Sequence, residues 1–184
     1  MAQDRLIAVT KEKCNYDTKY TGEKIILRLK SDTSDVKSSV DYWLDEFINL
    51  PDSTKLGFIG KLLAFEHDTS LCCMKVVNSS FNGIEGCGGK PRGVTRYPIQ
   101  VDALYIINRI CWPRWMELYS CSPVLYDNKL DKSINDNPAK IKIVYKQYKE
   151  WYNECRKKGE IGFYFPFNKG RYGWYNGRVS GVPK

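Results

Sequence analysis

The chain has 184 residues, a length that can bury one continuous hydrophobic core, and this predicts a single domain over residues 1–184. Hydrophobic residues make up 42% of the sequence, as in ordinary globular proteins, which excludes disorder as the default state. No apolar run reaches the roughly 18 residues that a membrane-spanning helix needs. The net charge of +8 at pH 7 favours acidic binding partners.

The N-terminal residues leave two cellular compartments open. Ala2, Gln3 and Asp4 form a small, polar start of the kind that remains after a signal peptide has been removed, with Met1 added for expression. A native cytosolic start fits the same residues. The sequence therefore predicts a periplasmic or secreted protein if a signal peptide was removed before Ala2, and a cytoplasmic protein otherwise.

Residues 1–34 predict an extended N-terminal segment that packs on the domain. One compact apolar run, from Ile25 to Leu29, follows the turn signal Thr21-Gly22. The run is too short for a helix of typical length, so we interpret it as a short strand or extended segment.

Two amphipathic helices are predicted next, over residues 35–49 and 53–66. Apolar side chains recur at spacings of three and four in both segments, and the Ser and Asp residues near position 35 offer N-caps. The two segments are joined through Pro51 by a linker of about four residues, and so short a linker favours antiparallel packing as a helical hairpin. The apolar patch that follows, residues 71–77, has no clear period, and we interpret it as a short helix.

Residues 82–96, NGIEGCGGKPRGVTR, form a glycine-rich basic loop. A phosphate-binding P-loop would need glycine at the position of Ile84 and serine or threonine at the position of Pro91, so the pattern does not match. The simplest interpretation of the segment is an exposed mobile loop, and the alternative is a loop that presents cations to a partner. These cations are Lys90, Arg92 and Arg96.

The longest apolar concentration, residues 97–127, predicts the centre of the core. Pro98 suits the first turn of a helix, apolar side chains then recur at helical spacing, and a further proline stops the pattern, which predicts a helix over 99–112. Asp102 lies near the start of this helix, where a negative charge complements the helix dipole.

A helix over residues 138–158 and an irregular tail over residues 159–184 complete the chain. Pro138 suits the start of this helix, lysines occupy its outer face, and Gly159 ends it. The tail combines aromatic and basic residues with no helical period. From Asp127 to the C-terminus, 13 basic against 6 acidic residues give a net charge of +7, so the basic charge is concentrated at this end.

The seven cysteines and one histidine offer few catalytic or metal sites. No C-x-x-C spacing occurs, so a zinc site would need scattered ligands, and we predict no cofactor and no metal. A hydrolase that uses His67 with Cys72 or Cys73 is the least favoured functional hypothesis, because this spacing matches no catalytic signature. Disulfides are expected if the protein is exported, with their pairing left open.

Together these elements predict a mainly α-helical single-domain bundle built on the helical hairpin, with at most minor strand content. The helical core spans residues 35–158. It lies between the extended segment 1–34 and the irregular aromatic tail 159–184.

The leading functional hypothesis is a non-enzymatic protein-binding domain, such as a bacterial immunity or inhibitor-type protein, whose partner has an acidic surface. Tyr, Trp and Arg combine a large contact area with a polar group, which favours such a role for the loop and tail. The competing interpretation of the aromatic rings is that they only cap the helical core. The alternative is a nucleic-acid-binding protein that uses the basic C-terminal segment. The predicted binding residues are Lys90, Arg92, Arg96, Arg171, Tyr172, Trp174 and Tyr175.

Overall fold

The computed structural model has a mixed α/β fold, so the prediction of a mainly α-helical bundle was wrong. Its described residues form four α-helices and two three-stranded antiparallel sheets. The structure describes residues 6–14, 21–31, 34–38, 44–76, 91, 93–112, 122–162, 170–175 and 177. The strands are β1 (Leu6–Lys13), β2 (Glu23–Lys30), β3 (Asp35–Lys37), β4 (Leu125–Asp127), β5 (Lys132–Ser133) and β6 (Tyr172–Trp174). The helices are α1 (Asp45–Ile48), α2 (Asp52–Leu62), α3 (Ile99–Cys111) and α4 (Pro138–Lys158).

The N-terminal sheet has the order β1–β2–β3. In β2, Ile25, Leu27 and Leu29 are buried in the core, whereas Arg28 points outward, as the alternation of a strand requires. This confirms the extended segment predicted there. Strand β1 was not predicted, because its side chains are only partly buried and its apolar residues give way to Lys and Glu.

The predicted helix over residues 35–49 was wrong in its first part, and the helical hairpin that depended on it was wrong as well. The first three residues form β3, which pairs with β2, and Val36 packs against the core from this strand. Ser38 extends the pairing, since its Oγ accepts a hydrogen bond from Leu27 N and its own N donates to Leu27 O, both at 2.9 Å. A serine hydroxyl offers the backbone such an alternative to helix. Residues 39–43 lie outside the described part.

Three predicted helices are confirmed, and α3 and α4 begin and end close to the residues that the sequence suggested. Helix α2 continues into a 3-10 turn, Leu63–His67. At the start of α4, Asn137 Oδ1 accepts a hydrogen bond from Lys140 N at 3.1 Å, and Gly159 with a φ of 74° ends the helix. These helices correspond to the predictions over residues 53–66, 99–112 and 138–158.

Helix α3 lies at the centre of the core, as the apolar concentration predicted. Every side chain from Ile99 to Ile110 is buried. One of them is Asp102, whose Oδ1 lies 2.5 Å from Lys24 Nζ, and both side chains are at most 1% exposed. Because Asp102 Oδ2 also accepts a hydrogen bond from Ile25 N, at 3.3 Å, this carboxylate joins α3 to β2.

The second sheet has the order β5–β4–β6 and brings the tail back to the middle of the chain. In its register, Leu125 pairs with Trp174 and Asp127 pairs with Tyr172. The prediction of an irregular tail was therefore wrong for the residues of β6. Trp174 is buried, and its Nε1 donates a hydrogen bond to the hydroxyl of Tyr148 on α4 at 3.0 Å.

The short helix interpreted over residues 71–77 was wrong for the described part, which ends at Val76. Instead, Leu71 forms an isolated bridge with Pro98, and Cys72 forms one with Glu23. The segment is therefore held between the start of β2 and the start of α3.

A disulfide joins Cys14, which directly follows β1, to Cys73, and their Cα atoms lie 6.1 Å apart. Beside the disulfide, the backbone at Gly22 packs directly against the backbone of Leu71 and Cys73. A Cβ atom at Gly22 would lie 2.7 Å from Leu71 O and 2.9 Å from Cys73 N, so a side chain does not fit there. Close backbone approach is a common reason for glycine at such a position.

Candidate functional site

A groove with a volume of about 740 Å³ lies where the end of the glycine-rich loop meets the second sheet and Tyr175 of the tail. One wall is formed by residues 93–98. The other is formed by Tyr126 of β4, the residues around β5, the start of α4 and Tyr175. A volume of this size falls in the range of roughly 300–1,000 Å³ that ligand pockets occupy.

The wall formed by residues 93–98 is fixed to the N-terminal half of the chain. Arg96 Nη2 donates hydrogen bonds to Thr21 O and to Cys72 O, both at 2.9 Å. The backbone is paired as well, since Cys72 N donates to Tyr97 O at 2.9 Å. Arg96 therefore lines the groove and also anchors its wall, and these contacts connect the groove to the disulfide-bonded segment around Cys73.

The opposite wall carries a pair of tyrosines whose position depends on the tail. Tyr175 N donates to Val124 O at 2.9 Å, and the Tyr175 ring lies 5.0 Å from the Tyr126 ring in an edge-to-face arrangement. Tyr126 OH donates to Asp131 Oδ1 at 2.9 Å. Desolvation, followed by this bond to Asp131, raises the pKa of Tyr126 to about 12, so the hydroxyl stays protonated at neutral pH.

The charges of the groove are of both signs. Asp131 and Asp136 line it with their exposed carboxylates, while Lys132 and Arg96 line it with cations. Asp131 has a φ of 51°, which is unusual for a residue other than glycine and which Asp tolerates better than most. The backbone of the turn before β5 thus places the Asp131 carboxylate where it accepts the hydrogen bond from Tyr126 OH.

Arg171 belongs to a charge cluster at the far side of the same sheet. Its Nε lies 2.8 and 2.9 Å from the two carboxylate oxygens of Asp127, which is fully buried, and Lys140 Nζ lies 3.1 Å from Asp127 Oδ2. The Arg171 guanidinium, together with Lys140 and the backbone amide of Leu130, holds the pKa of Asp127 well below its usual range although burial opposes this. Arg171 also lies over the Tyr172 ring, 5.4 Å from its centre.

The structure brings some of the predicted binding residues together and separates others. Arg96 and Tyr175 line the groove. Arg171 and the half-buried Tyr172 lie along β6 with the Asp127 cluster. Trp174 lies in the core, 3% exposed, with its ring 5.8 Å from the ring of Tyr105. Lys90 and Arg92 lie outside the described residues.

Sequence reasoning missed several groove residues, above all Gln100 and the Tyr126–Asp131 pair. Gln100 is a polar residue inside the most apolar stretch of the chain, and that contrast was the one signal that could have identified it. Asp131 and Tyr126 carried no signal, because their contact depends on the turn between two strands that were not predicted.

The structure gives no support to a cysteine hydrolase. Cys73 has no thiol, since it forms the disulfide with Cys14. Cys72 is fully buried, and desolvation, followed by the nearby charge of Asp102, raises the pKa of its thiol to about 12. His67 is 79% exposed and lies beside Glu66. Neither cysteine therefore offers the thiolate that this chemistry needs.

The described residues contain no group of three or more His, Cys, Asp and Glu side chains that could hold a metal ion. Within the same ranges, every helix is too short or too polar to cross a membrane.

Comparisons of the chain with protein-family models, with curated proteins and with solved structures found no match.

Proposed function

We propose that this chain is a non-enzymatic binding domain that docks on another protein, as immunity and inhibitor-type proteins do, and that the groove is the centre of its binding surface. The observation that carries this proposal is the meeting of two distant segments in one groove. Arg96 from the glycine-rich loop and Tyr175 from the tail were both predicted as binding residues, and both line it. Aromatic and arginine side chains around a concave site are typical of recognition surfaces.

An acidic surface on the partner is supported by the charge of the chain. The net charge is +8, and Lys142, Lys157 and Lys158 lie exposed on α4. Such a field attracts an acidic protein and accelerates its association, whereas the contacts in the groove would decide specificity. Three other cations at this end, Lys140, Lys149 and Arg171, are already paired with carboxylates of the chain itself, which lowers the charge that nucleic-acid binding could use.

The disulfide between Cys14 and Cys73 supports an oxidising compartment for this function. Disulfides persist in the periplasm and outside the cell and are rare in the cytosol. The proposal therefore includes a partner that the protein meets after export.

The test compares the wild-type chain with Tyr175→Ala in pull-downs from the source organism, with Tyr152→Ala as a matched control. Tyr152 is another half-buried tyrosine, but it lies on α4 away from the groove residues. We expect one protein to be retained by the wild type and the control and to be lost with Tyr175→Ala. Calorimetry with that purified protein should then show at least thirtyfold weaker binding for Tyr175→Ala, as for an interface hot spot of about 2 kcal/mol.

A salt series separates this proposal from nucleic-acid binding. Phosphate-dominated binding to a single-stranded oligonucleotide falls steeply as salt rises, whereas binding to an acidic protein through the groove should weaken much less, because salt slows the association but leaves the contacts in the groove in place. The proposal fails if Tyr175→Ala binds every retained protein within about twofold of the wild type, or if only the oligonucleotide binds.

A further inference from the structure

The groove wall that holds Tyr126 and Tyr175 combines aromatic rings with carboxylates. Both tyrosines are half-buried, and their ring centres lie 5.0 Å apart in an edge-to-face arrangement. Asp131 and Asp136 line the groove from the same wall and are exposed to solvent. Because the face of an aromatic ring carries negative electrostatic potential, the rings and the carboxylates favour the same kind of ligand, which is a cation.

The hydrogen bond between Tyr126 and Asp131 sets the geometry of this cation site. It places the Asp131 carboxylate at the edge of the Tyr126 ring, with Oδ1 2.9 Å from the hydroxyl oxygen. A carboxylate accepts several hydrogen bonds, so the bond from Tyr126 does not saturate it. A planar cation within about 6 Å of the centre of the Tyr126 ring can therefore cover the ring face and direct its edge toward Asp131.

Two cations of the chain also line the groove and oppose this preference. Arg96 belongs to the other wall, where its Nη2 faces the N-terminal half of the chain and donates to Thr21 O and Cys72 O, both at 2.9 Å. Lys132 is exposed, and its flexible stem lets the ammonium group extend into water. Among the described lining residues, two carboxylates balance these two cations, so the groove is much less positive than the whole chain with its net charge of +8.

An arginine side chain suits this site better than a lysine side chain. The guanidinium group is planar, stacks on aromatic faces and binds a carboxylate through parallel N–H groups. The ammonium group of lysine is a compact and strongly hydrated charge, so it loses more hydration against the rings and has no flat face to stack on them. Arginine is also the cation found more often over aromatic rings in proteins.

We propose that the groove binds an arginine side chain of the partner, with its guanidinium stacked on the Tyr126–Tyr175 pair and hydrogen-bonded to Asp131, while Asp136 adds negative potential. This proposal rests on the proposed protein-binding function and names the group that the groove recognises. The positive field of the chain attracts acidic proteins in general, whereas an arginine pocket discriminates among them. An acidic partner that presents one arginine at its surface fits both properties.

The probe is the capped peptide acetyl-Gly-Arg-Gly-amide, titrated into the full chain and followed by the NMR signals of the Tyr126 and Tyr175 rings. The matched probe carries citrulline in place of arginine, which keeps nearly the same shape but has no charge, and a third peptide carries lysine. We expect the arginine peptide to bind about fivefold more tightly than the citrulline peptide, or better, and more tightly than the lysine peptide. Equal affinities for arginine and citrulline overturn the proposal, and a preference for lysine overturns the choice of arginine.

Asp131→Asn tests the carboxylate without disturbing the turn. Asparagine tolerates the φ of 51° and keeps an oxygen that accepts from Tyr126 OH. Glu154→Gln is the matched control, because it removes the same charge from an exposed residue of α4 that does not line the groove. We expect Asp131→Asn to weaken binding of the arginine peptide about threefold or more and to leave the citrulline peptide unchanged, and we expect Glu154→Gln to match the wild type. Equal effects of the two variants overturn the proposal, and the peptide comparison on the wild type decides it if Asp131→Asn does not fold.

The purified partner distinguishes failure of this proposal from failure of the proposed function. If a partner depends on Tyr175 but binds the double variant Asp131→Asn, Asp136→Asn as tightly as the wild type, the arginine site is overturned and the binding function stands. If no retained protein depends on Tyr175, both are overturned. Loss of partner binding in the double variant, matched by the loss on replacing one arginine of the partner with citrulline, supports both.

Discussion

Asp127 shows how a single residue organises the end of the chain. Its carboxylate lies fully buried in β4 and binds Lys140 and Arg171, which are 13 and 44 residues away in sequence. A buried carboxylate is stable only if it is paired and hydrogen-bonded. Arg171, which we predicted as a binding residue from its type and its place in the tail, therefore also neutralises Asp127 and holds β6 against β4.

Replacement of Asp127 by Asn should change how stability depends on pH. Hydrogen bonds from Arg171 hold the pKa of folded Asp127 well below the usual value of about 4, so its stabilisation is complete above that pH and is lost as the pH falls toward the folded-state pKa. The melting temperature of Asp127→Asn should be lower than that of the wild type at pH 7, and the difference should narrow as the pH falls below about 4 toward the folded-state pKa.

Thermal melts across this pH range, followed by circular dichroism, provide the measurement. Asp136→Asn is a suitable control because Asp136 is exposed, and its curve should run parallel to that of the wild type. Parallel curves for Asp127→Asn and the wild type would show that Asp127 has no linkage to folding.

For the Lys24–Asp102 pair as well, the residue type suggested a role for Asp102, but the sequence did not show which partner it has in the fold. We expected Asp102 to complement a helix dipole, and it does lie in the first turn of α3. Its main partner, however, is a lysine 78 residues earlier in the chain. No local pattern shows that a lysine beside an isoleucine run will be buried, because that depends on how β2 packs on α3.

Elements whose pattern is complete within their own residues were predictable. Helices α3 and α4 carry their starting proline, their apolar face and their last turn in one continuous segment, so the predicted bounds agree closely with those observed. The strands differ, because β4 and β6 have three residues each and are stabilised by each other across more than 40 positions of sequence. The helical spacing that we saw around Val36 was coincidental, since Val36 reaches the core from a strand.

Strand β6 should contribute strongly to stability through Trp174. Its ring lies in the core beside Tyr105, and its Nε1 donates to Tyr148 OH, so truncation removes apolar contacts and leaves a cavity. We expect Trp174→Ala to lower the free energy of unfolding by about 3–5 kcal/mol, as for other buried aromatic truncations. Urea unfolding followed by far-UV circular dichroism measures this change.

The neighbouring Tyr172 is the control, because it lies on the same strand but is only half-buried. Tyr172→Ala should cost clearly less than Trp174→Ala. Equal costs for the two variants would mean that the strand contributes through its backbone pairing and not through the buried ring.

At the scale of the whole molecule, part of the site was predictable and its geometry was not. The composition of the loop and the tail identified Arg96 and Tyr175, which do line the groove. The sequence could not predict that these two residues line the same groove, because this arises from two separate long-range pairings. Tyr97 pairs with Cys72 on one side, and Tyr175 pairs with Val124 on the other. Gln100 was missed because only the finished groove shows that this residue of α3 lines it.

The disulfide fixes the segment around Cys73, to which Arg96 attaches the loop wall of the groove. It closes a loop between Cys14 and Cys73 that are 59 residues apart, and a loop of that length is expected to stabilise the fold by about 4 kcal/mol through the entropy of the unfolded chain. The variant with serine at both positions should lose about this much free energy of unfolding in urea. Reduction of the wild type should lower its stability to the same extent.

The control for this last prediction is Cys155→Ser, which alters a buried thiol that is not in a disulfide. It should cost less than the double variant, and its stability should still fall on reduction, since the Cys14–Cys73 bond remains. Arg96 donates to Cys72 O, directly beside the disulfide, so loosening this segment should also weaken binding in the groove. If the double variant matches the oxidised wild type in both unfolding midpoint and affinity for the partner, the disulfide contributes neither to the stability of the fold nor to binding in the groove.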